Sequence, residues 1–178
     1  MRIISGKYKS RRIQAPVNLK ARPTTDFAKE GLFNVLNNSV DWEETAALDL
    51  FSGTGSIAFE LVSRGCPRVV SVEMENLHWR FINKTKEQLG AVELFPLKAD
   101  VFKFLATCKE QFDLIFADPP YDMPGIEKIP YTIFENNLLK KDGLFIIEHS
   151  KMFDFSLLSH FKRELKYGNV HFSLFLID

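Results

Sequence analysis

The sequence predicts a doubly wound α/β fold, and three observations predict it. Short apolar runs recur at Ala46–Leu50, Arg68–Glu73, Val92–Lys98, Phe112–Ala117 and Gly143–His149, each of strand size. Segments with helical spacing separate them, so the strands are joined by crossovers and lie mostly parallel, with both faces covered. The runs end in glycine-rich or acidic residues, at the carboxyl ends where open α/β sheets bind ligands.

The elements follow in order. Residues 2–4 and 10–14 read as two short strands around Ser5-Gly6, a small basic hairpin stopped by Pro16 and Pro23. Thr24 or Thr25 can cap a helix running to about Asn38, with Phe27, Leu32, Phe33, Val35 and Leu36 on its apolar side. Helices are expected near Ser56–Ser63, Asn76–Leu89, Val101–Thr107 and Tyr131–Leu139, between the five strands, with a further short one near Phe155–His160. Two extended runs, Lys162–Tyr167 and Val170–Ile177, are joined only by Gly168-Asn169, too few residues for a crossover, and should pair antiparallel at one edge. The expectation is a seven-stranded, mostly parallel sheet with one antiparallel strand near the edge. A basic N-terminal hairpin and helix accompany it. No repeat or linker divides the chain, so residues 1–178 read as one domain with 1–25 as an extension within it.

Composition narrows the function classes. At 46% hydrophobic and 26% charged the chain is not of the disordered type. MRIISGKYKS holds no apolar run of signal-peptide kind, and the longest apolar stretches are far below a membrane span, so cytoplasm is the expected compartment. Cys66 and Cys108 form no C-x-x-C and read as free thiols, and His78, His149, His160 and His171 show no ligand spacing, so no metal site is expected. Net charge is zero, but Met1–Thr25 carries seven basic residues (Arg2, Lys7, Lys9, Arg11, Arg12, Lys20 and Arg22) and no acidic one, leaving an acidic body. Such asymmetry suits an arm that binds a polyanion, or equally a solvated basic hairpin without a partner.

Two motifs carry chemistry. Asp49-Leu50-Phe51-Ser52-Gly53-Thr54-Gly55-Ser56 sits where the first strand gives way to its helix. Ala58 takes the place of the third glycine of a dinucleotide fingerprint, which weakens the NAD reading. S-adenosylmethionine needs no diphosphate cradle; its ammonium group wants an acidic partner, and Asp49 stands at the strand end. Glu73, followed by Met74, can accept from ribose hydroxyls, Asp100 from an adenine amine, and the Val101 N–H can donate to the ring. The second motif, Asp118-Pro119-Pro120-Tyr121, follows the fourth strand. Paired prolines stiffen a loop there. An exocyclic base amine is a poor nucleophile, because its lone pair is delocalised into the ring. The Asp118 carboxylate and the Pro119 carbonyl can accept its hydrogens and favour the pyramidal amine of the transition state, while Tyr121 offers a face for an extruded base.

With its reversed strand near the edge, the predicted sheet resembles that of the Rossmann-like, class I methyltransferases. The chain resembles the amino-methyltransferases with a D/N-P-P-Y loop and, more closely, the bacterial 16S ribosomal RNA guanine-N2 methyltransferases of the RsmD type. The likeness runs through Arg2–Lys9 with Arg11-Arg12, Arg22-Pro23-Thr24-Thr25-Asp26, Leu48–Ser56, Ser63-Arg64-Gly65, Phe112–Tyr121 and Lys166-Tyr167-Gly168. Lys29-Glu30 stands where an Arg-Glu pair is expected of the family. The resemblance implies S-adenosylmethionine as cofactor and one guanine of small-subunit ribosomal RNA as substrate, methylated in the assembled particle by a monomeric enzyme. It implies roles for Arg22, Thr24 and Asp26 at the mouth of the site. The cofactor set is then Asp49, Phe51, Gly53, Gly55, Glu73, Met74, Asp100, Val101, Asp118 and Thr24; the catalytic set is Asp118, Pro119, Pro120 and Tyr121. Arg2, Lys7, Lys9, Arg11, Arg12 and Arg22 would hold RNA. DNA adenine-N6 or cytosine-N4 methylation, methylation of a protein glutamine amide and a catalytically inactive RNA-binding assembly module are the alternatives. The first lacks room for a target-reading domain, the second is associated with Asn rather than Asp in the loop, and the third is disfavoured by the full acidic set.

Overall fold

The computed structural model describes residues 1–15 and 26–177. Thr24 and Arg22, expected at the cofactor and the RNA, lie outside the described residues, as do Pro16, Lys20, Pro23 and Thr25. The seven strands are β1 (Ala46–Leu50), β2 (Arg68–Glu73), β3 (Leu94–Lys98), β4 (Phe112–Ala117), β5 (Leu139–His149), β6 (Phe161–Tyr167) and β7 (Val170–Leu176). Their spatial order is β3-β2-β1-β4-β5-β7-β6. The first five are parallel, and β7 runs antiparallel to both β5 and β6, as the short Gly168-Asn169 connection requires.

Helices α1 (Asp26–Leu36), α2 (Ser56–Arg64), α3 (Asn76–Leu89), α4 (Val101–Thr107) and α5 (Lys128–Glu135) cover the sheet. Strand alternation splits the interior into two cores. Phe59, Val69, Phe116, Ile146 and Phe172 pack with α1 and α2 on one face, and Leu48, Val72, Ile115, Ile147 and Phe175 with α4 and α5 on the other. Each side chain so buried contributes about 1.5–3 kcal/mol of transfer free energy. The outer edge strand β3 contains Pro96, which has no N–H to offer another chain.

β3 starts at Leu94 rather than Val92 and β5 at Leu139 rather than Gly143, and three further elements differ more deeply from expectation. The N-terminal hairpin has only one bridge, Arg2 with Arg12, rather than two strands. The turn amides go to α2 instead: Ile4 and Ser5 donate to the Glu60 carboxylate (2.8 and 3.0 Å), Lys7 to the Ser63 carbonyl (2.7 Å) and Tyr8 to the Ser63 hydroxyl (2.9 Å). The helix expected at Tyr131–Leu139 starts earlier, at Lys128, because Pro130 is harmless in a first turn whose N–H groups have no helical acceptor. It ends at Asn136-Asn137, where Asn137 takes a left-handed φ of 51°, and Leu139 already belongs to β5. Phe155–His160 is a string of turns. There the Asp154 carboxylate accepts from the Ser156 amide (2.9 Å), and Leu157 is exposed while Phe155 is buried, so no helical stripe exists.

The hairpin is held by a buried charge cluster. Glu60 is fully buried and also accepts from Arg64 Nε at 2.9 Å. Lys29, equally buried, lies 3.8 Å from Glu60 and donates to the Arg2 carbonyl (2.6 Å) and the Ser56 hydroxyl (3.1 Å). Burial pulls the Lys29 ammonium below its ordinary pKa, against the opposing pull of Glu60. Gly6, at φ 80°, lies so close to α2 that a Cβ would sit 1.6 Å from the Ser63 carbonyl oxygen. Removing Glu60 strands two cations and two amides away from water. Glu60→Ala is therefore expected to lose on the order of 3–5 kcal/mol of stability in urea unfolding, whereas an exposed carboxylate such as Glu135 should cost less than about 0.5 kcal/mol when truncated.

Candidate functional site

The carboxyl ends of β1, β2 and β4 open into one cavity of about 630 Å³. Parallel register brings them level, with Asp49 beside Ser71 on β2 and beside Phe116 on β4. The lining includes Asp49, Phe51, Gly53, Glu73, Met74, Asp100, Val101 and all four residues of the Asp118–Tyr121 loop. The two motifs read from the sequence therefore face each other across one space. Gly55 is not part of the lining. At φ 78° it caps α2, and a Cβ there would meet Phe59 Cε2 at 2.9 Å, so its missing side chain serves packing. Asp26 lies 3.8 Å from Arg2, beside the hairpin.

The turn after β1 is set by its own hydrogen bonds. Ser52 donates its hydroxyl to the Asp49 carbonyl (2.8 Å) and its amide to Val72 (3.1 Å), and Gly55 N–H closes on the Ser52 carbonyl (2.7 Å). Phe51 is held at φ 59°, a left-handed backbone uncommon for a bulky residue. Glu73 ties the turn to β2, because its carboxylate accepts from the amides of Gly53 and Glu75, both at 2.7 Å. Asp100 caps α4 by accepting from the Lys103 amide at 2.9 Å.

Asp49 is the most perturbed carboxylate of the site. It is 2% exposed, and burial pushes its carboxyl from 3.8 up to about 7, although the Ser52 hydroxyl and the Ala58 amide oppose the shift. A buried carboxylate of this kind is suited to a cationic partner. The remaining donor and acceptor set also fits a nucleoside with an ammonium tail: Glu73 for hydroxyls, and Asp100 and the Val101 amide at the far end. In the Asp118–Tyr121 loop, Pro119 is buried and Asp118 half-buried, and the Asp118 amide donates to the Leu50 carbonyl at 3.3 Å. The Tyr121 hydroxyl donates to Glu148 Oε1 at 3.0 Å.

Glu148 and His78 also line the cavity and were not singled out from the sequence. Glu148 carried a visible signal, because it closes an apolar strand as Glu73 does. His78 carried none; it sits in the first turn of α3, its Nδ1 3.9 Å from Glu73.

The basic arm divides. Arg2 pairs with Glu30 at 3.2 Å and Lys7 with Glu93, so part of the charge is met by the protein's own carboxylates. Lys9, Arg11 and Arg12 are exposed.

Comparison with known proteins agrees over the full length. The ribosomal RNA small subunit methyltransferase D of Haemophilus influenzae is 32% identical over 158 residues, covering 85% of this chain and 79% of that one. The solved structure of yhhF from Escherichia coli superposes with a TM-score of 0.87 at 26% identity, covering 100% of this chain and 98% of the other. An RNA methyltransferase from Salinibacter ruber, in complex with S-adenosyl-L-homocysteine, shares the fold with a TM-score of 0.66 at 18% identity, covering 84% of this chain and 91% of its own. The model of the family described as conserved hypothetical protein 95 matches residues 1–176, and the chain belongs to that family.

Proposed function

We propose that this protein is an S-adenosylmethionine-dependent methyltransferase that modifies the exocyclic N2 amine of a guanine in small-subunit ribosomal RNA. The observation that carries the reading is the single cavity shared by Asp49, Glu73 and the Asp118–Tyr121 loop. Its relatives named ribosomal RNA small subunit methyltransferase D supply the substrate class. Bound S-adenosylmethionine would bring an electrophilic methyl carbon on a sulfonium sulfur. Asp49 would pair with its ammonium group and Glu73 with its ribose hydroxyls.

Asp118 and the Pro119 carbonyl accept the two amine hydrogens, which draws the nitrogen lone pair out of the ring and aims it at the methyl group. Bound there, the cofactor would supply the methyl group and keep the electron pair of its C–S bond on sulfur, while Asp118 or water would take the surplus proton from the alkylated nitrogen. Tyr121 offers the stacking face. Lys9, Arg11 and Arg12 hold RNA phosphates, with the assembled small subunit as substrate and a monomer as the acting form.

Incubating the protein with methyl-labelled cofactor and, in parallel, small subunits, naked ribosomal RNA and DNA should yield N2-methylguanosine from the subunits alone. Label in adenine or cytosine, or in DNA, would refute the assignment. Asp118→Ala should keep the fold and cofactor affinity while lowering turnover by roughly 10²–10³; unchanged turnover removes Asp118 from the mechanism. Because Asp49 titrates near 7, affinity for S-adenosylmethionine measured calorimetrically should weaken about tenfold for each pH unit below that value. A flat profile from pH 5.5 to 8.5 would contradict the ammonium pairing. The same shift sets a sign for stability. The folded chain keeps a proton that the unfolded chain loses between 3.8 and about 7, so the Asp49 contribution is full below that window and lost as pH rises through it. Asp49→Asn should then raise the melting temperature of the unliganded protein at pH 8, with the gain shrinking toward pH 5. Neutralising Arg11 and Arg12 should flatten the salt dependence of RNA binding by about 0.7 for each phosphate left without its cation.

A further inference from the structure

The cavity contains a carboxylate that the mechanism above does not use. Ala117 of β4 is in register with Ile147 of β5, so Asp118, the first residue past β4, and Glu148 of β5 each follow a member of that pair. By alternation Asp118 shares a face with Phe116 and Glu148 with Ile146, and those two apolar residues belong to the same core cluster. The two carboxylates therefore rise side by side on one face of the sheet, and both line the cavity. Glu148 is 4% exposed, and its Oε1 accepts from the Tyr121 hydroxyl at 3.0 Å.

A carboxylate is distinguished by its charge and by about four acceptor positions on two oxygens, so the Tyr121 bond coexists with others. It matches a partner that presents donors side by side. Among the bases with an exocyclic amine, guanine alone has a ring N–H next to that amine; adenine and cytosine place an acceptor nitrogen there, whose lone pair a carboxylate repels.

We propose that Glu148 reads the extruded base: its carboxylate accepts the N1–H of guanine, selects guanine over adenine and cytosine, and turns the N2 amine toward Asp118 and the Pro119 carbonyl. This rests on the guanine-N2 reading above and names the residue that makes it specific. Glu148 then links recognition to stacking, since one carboxylate holds both the base edge and the Tyr121 ring against which the base lies.

The test uses small subunits reconstituted with 2-aminopurine in place of the methylated guanine. That base keeps the N2 amine but carries an acceptor at N1. Wild-type protein should prefer guanine by at least about 10²-fold in kcat/KM, as sites that read a hydrogen-bond donor do. Glu148→Gln can turn its amide N–H toward the N1 acceptor, so its preference should fall to within about tenfold, with melting temperature and cofactor Kd unchanged. Tyr121→Phe removes only the phenol bond and should keep the wild-type ratio, even if its turnover is lower. The proposal is overturned if wild-type protein methylates both bases alike, an outcome independent of whether any variant folds. It is also overturned if Glu148→Gln retains the wild-type ratio, or if Tyr121→Phe collapses the ratio as far as Glu148→Gln does, since Glu148 would then act only through the phenol. Failure of wild-type protein to methylate any guanine in authentic small subunits would instead count against the guanine reading on which this rests.

Discussion

Parallel pairing of β2, β1, β4 and β5 is the constraint on which the rest depends. Strands that run the same way end at the same level, and the acidic residue at or near the end of each is lifted to one rim of the sheet. Asp49, Glu73, Asp118 and Glu148 come from positions spread over half the chain, yet register alone gathers them around one cavity. Packing on both faces closes the alternatives. A one-residue slip in any strand would carry its acidic residue to the opposite face and bury Phe116 or Ile146 against the wrong helices. The chemistry is thus specified by the same apolar pattern that specifies the core.

Like charges gathered so closely repel, and the structure answers with main-chain N–H groups. Glu73 accepts from two amides and Asp100 from one, while Asp49 is pushed instead toward its protonated form. A site that binds a cationic ligand gains from this arrangement, because the ligand brings the charge that neutralises the carboxylates. Glu73 has a double duty. The carboxylate that fixes the Gly53 turn is the one proposed to accept from a bound ribose, so on that reading loop shape and ligand recognition cannot be altered separately.

Most of the sheet was legible in the sequence because β1, β2, β4 and the second half of β5 are apolar runs bounded by glycine or charge. The bounds of β1, β2 and β4 could be read directly, and the two-residue Gly168-Asn169 link dictated the reversed strand. Where the reading failed, tertiary contacts outweighed local pattern. Nothing in residues 2–14 announces that the Ser5 amide belongs to Glu60, fifty-five residues away, and in Phe153–Leu158 Phe155 is buried while Leu157 is exposed, so no helical stripe forms. The site was legible where a motif stated it. For Gly55 the motif does not reveal which side of the residue is crowded, and the structure puts Phe59 there. Lys29 looks like an ordinary surface charge in the sequence, and only the fold shows it buried beneath the hairpin.

The seating of Gly6 over the Ser63 carbonyl has a geometric corollary. With its turn amides pinned to Glu60 and Ser63, the hairpin is no tether that swings to find a partner; it is bolted to α2, the helix that follows the Gly53 turn. Arg11 and Arg12 therefore stand at a set span from the cavity mouth. Under the proposed function, a nucleic acid gripped there would be measured as by a caliper, and only a nucleotide lying that far from the gripped backbone would come within reach of Asp118.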